Sequence, residues 1–414
     1  MPRPQTPGRV DRSRLRSLAA AFTSLTAVIA TSLVAGPASA VSPAGPCALE
    51  RTDDHHSEGT DTWNAAYPRP VRRLDAVMVF LSFPDSEPQV EPAELAADYF
   101  PDTSRFFERA SYGRFRLHAD PMRSWVRMPR SSTSYGIKRD WDPGRRSAYL
   151  RDAVAAADPH VDFRRYDVVY LVADPDAPGV DSDATKVVNF DQPLRADGTD
   201  VRRVVTVFEE HPPDRNVLAH ETGHVFDLPD LYHRPRDGKS DWDTYVGDWD
   251  LMGSQFGLAP EPIGWHKWKL GWLSRDQIGC VDHGGTHVHS LDPLAAPSSR
   301  GAAEGGKRMV VIRTGSSTAI AVEAREAQGN DSETCTEGVL VYRVRSAIAS
   351  GGGPVEILDG HPGSSACPAA SVYPPLADAP LHVGERLTDR ASGVAVEVLG
   401  TDESGRWTVR TTLP

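Results

Sequence analysis

Short apolar runs separated by turn residues divide the first two thirds of the chain into strands and helices. The runs at 77–81 and 167–172 are almost continuously apolar, which predicts buried strands, and the run at 204–208 is β-branched. A helix is predicted from 92 to 112, interrupted near Pro101 because proline removes a backbone donor. The remaining predicted elements are strands at 114–118 and 125–128 and helices at 147–157, about 214–226 and 262–270.

After Trp272 the pattern changes to short strands alone. They lie at 310–312, 319–322, 339–342 and 394–398, and clusters of Gly, Pro, Ser and Asp separate them. Such spacing is typical of a β-sandwich. The whole pattern predicts an α+β chain, in which a mixed region at 74–275 precedes an all-β sandwich-like domain at 276–414.

The N-terminus has the pattern of an export signal. Five arginines precede an apolar run at 18–34, and Ala38-Ser39-Ala40 fits the small-x-small cleavage rule. We expect residues 1–40 to be a signal peptide and the mature protein to be secreted and extracellular. A membrane anchor is the alternative, disfavoured because Thr and Ser interrupt the run. Residues 41–73 are rich in Pro and charged side chains and are expected to be a leader or a short propeptide.

Net charge and cysteine content limit the classes of partner that the protein can have and the cellular compartment in which it is found. The formal net charge of −12 argues against nucleic acid as a partner. No later stretch is long and apolar enough for stable membrane insertion. Four cysteines in an exported chain predict two disulfides, for which three connectivities exist. Of these we predict Cys47–Cys280 together with Cys335–Cys367.

The candidate chemistry is carried by the sequence His-Glu-Thr-Gly-His at 220–224. Residues four apart share one face of a helix, so His220 and His224 can bind one metal ion while Glu221 lies beside it. Pro229 ends the helix, and the returning chain makes Asp230 the candidate third ligand. Three protein ligands and an open position are typical of a catalytic Zn²⁺ site, at which Glu221 acts as general base.

These residues, with Met252 some twenty positions later, resemble the immune inhibitor A family of secreted bacterial metallopeptidases, a zincin group with metzincin-like features. The resemblance covers most of residues 74–345, and its segments are 79–85, 106–115, 220–232, 249–253, 264–273, 323–325 and 338–342. It implies a zincin/metzincin-like catalytic domain. His220, His224 and Asp230 would be Zn²⁺ ligands, Glu221 the general base and Met252 the Met-turn residue.

The chain departs from the family pattern at Asp227, where the family usually has Gly. Because Asp tolerates a left-handed backbone better than most residues, we favour a harmless substitution. The alternative is that Asp227 competes as a metal ligand or that activity is lost. Nearby, His233 is interpreted as a solvated loop residue, and Tyr232 and Tyr245 as packed rather than catalytic.

Two further sites remain open. The family often holds structural Ca²⁺, for which the loop carboxylates of Asp174, Asp176, Asp181 and Asp183 are candidates; their spacing does not match the EF-hand, so a solvated acidic loop is favoured. In some zinc peptidases a propeptide cysteine blocks the metal. Cys47 in that role would leave an odd cysteine, so its disulfide is favoured.

The favoured hypothesis is a secreted zinc-dependent endopeptidase that acts as a monomer on protein or peptide substrates. An extended substrate is expected along a sheet edge, and the strand at 204–208 is the candidate edge. The alternative is a binding or surface protein on a catalytically degenerate peptidase scaffold.

Overall fold

The strands and helices follow the order that the hydrophobic pattern predicts, with several additional strands. The computed structural model describes residue 45 and residues 47–51, 58–235, 238–297 and 306–414. The described residues from 47 onward form one compact unit of mixed α and β structure, with several sheets and few helices. The predicted signal peptide lies outside the described residues.

Six α-helices are found among the described residues: α1 Pro92–Tyr99, α2 Asp102–Ala110, α3 Ser132–Tyr135, α4 Pro143–Ala157, α5 Val217–Val225 and α6 Gly264–Leu270. The strands of the first sheet are β1 Arg73–Ser82, β2 Arg116–Pro121, β3 Val126–Arg127, β4 Val168–Ala173, β5 Lys186–Ala196 and β6 Thr199–Val207. Those of the C-terminal region are β7 Ile278–Val281, β8 Gly285–Leu291, β9 Met309–Arg313, β10 Thr318–Arg325, β11 Gly338–Arg345, β12 Val355–Ile357, β13 Arg386–Thr388, β14 Ala395–Thr401 and β15 Trp407–Leu413.

The first sheet has the order β2-β1-β4-β6-β5, with β3 also pairing with β1. All its pairs are parallel except β5 with β6. Both faces are covered, because alternate residues of β1 belong to two different hydrophobic cores: Met78 and Phe80 to one, Val77 and Val79 to the other. This double burial explains the continuous apolar runs in the sequence.

Strand β5 is an edge strand that the hydrophobic pattern did not predict. It contains Pro193, and its register with β6 shifts between Asn189 and Leu194. Proline is tolerated at edges and bulges, where no ladder hydrogen bond is lost. Because β5 covers β6, the prediction that residues 204–208 form the free edge is wrong: β6 pairs with β4 on one side and with β5 on the other.

The C-terminal strands form two sheets, of order β12-β11-β10-β9-β7 and β13-β14-β15-β8. Val322 and Val341 of the first share a core with Val396 and Val409 of the second, as expected for a sandwich. Alternate residues of the first sheet, such as Tyr342, belong instead to the core that contains α5 and α6. One hydrophobic core therefore crosses the expected boundary near residue 275.

Both predicted disulfides are confirmed. Cys47 pairs with Cys280 of β7, and Cys335 pairs with Cys367. The first joins the segment before β1 to the C-terminal region. In the part of the chain that the structure describes, no helix combines the length and apolarity needed to cross a membrane.

The described part of the expected leader packs against α6. Trp265 Nε1 donates to the carbonyl of Thr60 at 2.6 Å, and Trp272 Nε1 donates to that of Pro70 at 2.7 Å. Thr60 and Asp61 are buried. Backbone carbonyls hold this segment in place together with buried Cys47 and Leu49, which belong to the core that contains α5 and α6.

Candidate metal and catalytic site

Helix α5 carries the predicted motif and is buried along its whole length. His220 and His224 lie one turn apart, with ring centroids separated by 5.0 Å. The Thr222 hydroxyl between them in sequence lies 2.9 Å from the phenol oxygen of Tyr170 on β4. Asn216 occupies the N-cap position, but its side chain makes no capping hydrogen bond. Close packing fixes the direction in which the imidazoles point.

The chain returns after α5 and brings Asp230 to both histidines. Asp230 Oδ1 lies 3.2 Å from His220 Nε2 and 3.2 Å from His224 Nε2. Zinc bonds of about 2.0–2.1 Å in a tetrahedral site place neighbouring ligand atoms about 3.3 Å apart. The three side chains that the sequence motif singles out therefore meet with the spacing that zinc requires.

Backbone carbonyls set the orientation of the two imidazoles. His220 Nδ1 lies 2.9 Å from the carbonyl oxygen of Leu251, and His224 Nδ1 lies 2.8 Å from that of Leu228. Since a carbonyl can only accept, each Nδ1 is the donor. In the neutral ring, Nε2 then keeps its lone pair for a metal, which is the usual arrangement of histidine ligands.

His220, His224 and Asp230, called the trio below, create an electrostatic environment that favours positive charge between them. Burial alone would lower the pKa of His224, but the Asp230 carboxylate raises it to about 10. Burial would likewise raise the pKa of Asp230, yet the two imidazoles hold it well below its usual range. A divalent cation bound to these atoms would satisfy the same preference, so the donor set and its charge fit zinc.

Glu221 lies beside this trio rather than in it. Burial raises the pKa of its carboxyl, against the opposing effect of the two histidines. Its Oε2 accepts a hydrogen bond of 2.6 Å from the backbone N–H of Val187 on the edge strand β5. Glu221 and the trio line one cavity of about 440 Å³, to which Lys186 and Tyr232 also contribute. Oε1 is thus the oxygen available to a reacting molecule.

Met252, the residue that the resemblance implies as a Met-turn, lies against the motif helix at Gly223. A Cβ added at Gly223 would lie 2.5 Å from Met252 Sδ, so a larger residue there would force the buried Met252 side chain to shift. The turn is held by Asp250, whose Oδ1 accepts from Met252 N–H at 2.6 Å and whose Oδ2 accepts from Ile263 N–H at 2.8 Å. The Met252 carbonyl accepts from Leu231 N–H at 2.8 Å, which ties the turn to the Asp230 loop.

Asp227 adopts a left-handed backbone conformation, with φ of 71°. Its carboxylate faces away from the trio. Oδ2 lies 2.9 Å from Lys269 Nζ of α6 and accepts a hydrogen bond of 2.8 Å from Asn64 N–H. The turn survives the substitution, and the carboxylate is engaged by a buried lysine rather than by the histidines.

Two residues at this site have no signal in the sequence. Ser350, beyond β11, donates to Asp230 Oδ2 at 3.2 Å and accepts from Asp230 N–H at 2.9 Å. Glu58 lines the same cavity and accepts from the Tyr67 hydroxyl at 3.1 Å. Both are far from the motif along the chain, and neither belongs to a recognisable pattern.

Of Tyr232, Tyr245 and His233 near the motif, one lines the cavity and the other two pack against each other. Tyr232 lines the cavity, whereas Tyr245 stacks on His233 at 4.4 Å between ring centroids. His233 is therefore partly buried rather than solvated.

The acidic loop that was a candidate calcium site does not bring its carboxylates together. Asp174 is buried and accepts from Ser86 and from the N–H of Asp176, while Asp183 pairs with Arg139 at 3.5 Å. Two groups of three side chains among the described residues could hold a metal ion, and neither includes these aspartates.

No protein-family model matches this chain, and no curated protein matches it either.

Proposed function

We propose that the protein is a secreted zinc-dependent endopeptidase with a zincin/metzincin-like catalytic domain, as its resemblance to the immune inhibitor A family implies. The observation that carries the proposal is the position of Asp230 Oδ1, 3.2 Å from both His220 Nε2 and His224 Nε2, with the Glu221 carboxylate in the same cavity. The two disulfides support export to an oxidising compartment.

Each side chain has a defined task in peptide hydrolysis. When bound, zinc supplies a Lewis acid that polarises the scissile carbonyl and makes water acidic enough to react near neutral pH. Glu221 Oε1 accepts a proton from the attacking water while the new C–O bond forms. The same carboxyl then delivers that proton to the amide nitrogen as the C–N bond breaks, which leaves Glu221 ionised again.

The substrate is expected to lie extended along β5. This strand is the sheet edge beside the site, and Val187 N–H already points at Glu221. An exposed edge binds a peptide by adding it as a further strand, so that main-chain hydrogen bonds align the scissile bond. The cavity next to β5 extends the binding region toward Trp242.

The test compares the mature protein with Glu221→Ala and with Glu210→Ala, an exposed glutamate that serves as the matched control. Zinc content and casein hydrolysis are measured on all three. We expect zinc in every sample and hydrolysis in the parent and the control alone. Full hydrolysis by Glu221→Ala would overturn the proposed base, and a parent without zinc would overturn the metal site.

The alternative, a degenerate binding protein, rests on the Asp227 substitution and on the sizeable β domain. The Asp227 carboxylate is bound to Lys269 and Asn64, so the substitution by itself does not favour this alternative. Zinc in the parent protein without hydrolysis of any unfolded protein would favour the degenerate binding protein over the enzyme.

A further inference from the structure

A second cluster of metal-ligating side chains lies in the C-terminal region. His361 follows β12, and His382 and Glu385 lie three residues apart just before β13. One ligand atom from each lies within 4.8 Å of the others. We propose that His361, His382 and Glu385 form a second zinc site, independent of the one at His220.

His361 has the same arrangement as the two histidines of the first site. Its Nδ1 lies in hydrogen-bond distance of the Asp378 carbonyl, so Nδ1 donates and Nε2 faces inward. His361 Nε2 then lies 2.9 Å from Glu385 Oε2, close to the separation of about 3.3 Å between ligands of tetrahedral zinc. A backbone carbonyl on one ring nitrogen and a metal on the other is the common pattern of protein zinc sites.

The backbone around this cluster is fixed. Glu385 Oε2 accepts from His382 N–H at 2.6 Å, and Glu385 N–H donates to the His382 carbonyl at 3.1 Å. Leu381 pairs with Val339 of β11, and Gly384 N–H donates to the Val398 carbonyl at 2.8 Å. These backbone contacts hold His382 where its ligand atom lies within 4.8 Å of those of His361 and Glu385.

The chemistry of the donors selects the class of ion. Two imidazoles and one carboxylate suit a divalent transition metal such as zinc rather than calcium, which prefers oxygen ligands. His382 is exposed and Glu385 is partly so, which leaves room for solvent at the remaining position. Bound zinc would join the loop after β12 to the segment before β13. The competing explanation is a plain hydrogen bond between His361 and Glu385, with no metal.

The experiment measures zinc per chain, by elemental analysis of the full mature protein after equilibration with zinc and gel filtration. Four samples are compared: the parent, His382→Ala, the double variant His220→Ala/His224→Ala, and His283→Ala as control. His283 is an exposed histidine paired with Asp282, so it resembles His382 in accessibility.

We expect about two zinc ions in the parent and the control, and about one in each of the other samples, with at least about tenfold weaker zinc binding at the altered site. Zinc content in His382→Ala equal to that of the parent would overturn the second site. Failure of the first site gives a different result: the parent then holds one ion, which only His382→Ala removes. Because Glu385→Gln keeps an acceptor for His382 N–H, it checks that zinc is lost through a ligand rather than through misfolding.

Discussion

Replacing Asp227 by glycine should destabilise this protein. Lys269 is fully buried in α6, and its Nζ lies 2.9 Å from Asp227 Oδ2. Burial raises the pKa of Asp227 and lowers that of Lys269 in spite of their attraction, so desolvation dominates both groups. A buried ion pair of this kind adds little net stability, but loss of one partner leaves a buried charge and costs about 3–5 kcal/mol.

The magnitude for Asp227→Gly follows from two opposing effects. Glycine relieves the left-handed backbone at φ 71°, which gains about 1 kcal/mol. Loss of the carboxylate removes the nearest counter-charge of Lys269 and the acceptor of Asn64 N–H. Lys269 Nζ keeps the Gly59 carbonyl and, at 3.9 Å, Asp61 Oδ1, so the cost lies at the lower end of the range, about 3 kcal/mol. The net expectation is a loss of about 2 kcal/mol in the free energy of unfolding. Lys269→Met in the Asp227→Gly background should recover most of that loss, because no charge is then left unpaired.

Urea unfolding of the two single variants and the double variant gives the coupling energy between the two positions. Asp197→Gly is the matched control, since Asp197 also has a positive φ, of 51°, but is exposed and accepts from a backbone N–H. It should leave stability nearly unchanged. An Asp227→Gly variant as stable as the parent, or additive single effects, would refute the argument that the buried pair fixes this turn.

Three other outcomes are expected. Ser350→Ala should weaken zinc binding about 10–100-fold in a zinc titration, because Ser350 holds the Asp230 carboxylate. Ser316→Ala, at an exposed serine, is the control, and a zinc affinity of Ser350→Ala equal to that of the parent would exclude this role. Gly223→Ala should lower the free energy of unfolding, measured in urea, by about 1–3 kcal/mol, because the new Cβ overlaps Met252 Sδ. An unchanged free energy of unfolding would mean that the Met252 side chain moves aside without cost. Chelation should abolish casein hydrolysis and lower Tm, and added zinc should restore both; activity that persists without zinc would contradict the metal role.

The sequence was informative wherever function or burial imposes a local pattern. The five-residue motif predicted which side chains of α5 share a face, and continuous apolar runs predicted β1 and β4 because these strands are buried on both sides. Both disulfides were also predicted correctly. Strand β5 was missed because an edge strand with Pro193 at an irregular register has neither alternation nor an apolar run.

Contacts between distant segments leave no pattern of this kind. Nothing in the sequence around Ser350 indicates that its hydroxyl meets Asp230, 120 residues away. Nor does any sequence pattern indicate that Lys269 is the partner of Asp227. From the sequence alone, a lysine at 269 is expected on the exposed face of a helix. In the structure, α6 buries Lys269 against the segment before β1. Such pairings depend on the tertiary fold.

These contacts bear on how the candidate site is maintained. Residues 74–275 contain the whole motif, yet the Asp230 loop is held by Ser350 from the C-terminal region. The turn before it is held by Asn64 from the segment that precedes β1, and Cys47 ties that segment to Cys280. A segment that donates to a buried carboxylate and accepts from two buried tryptophans is part of the fold, and its loss would strip Asp227 of a hydrogen bond. The position of Asp230, the proposed third ligand, therefore depends on segments outside residues 74–275 as well as on the motif region.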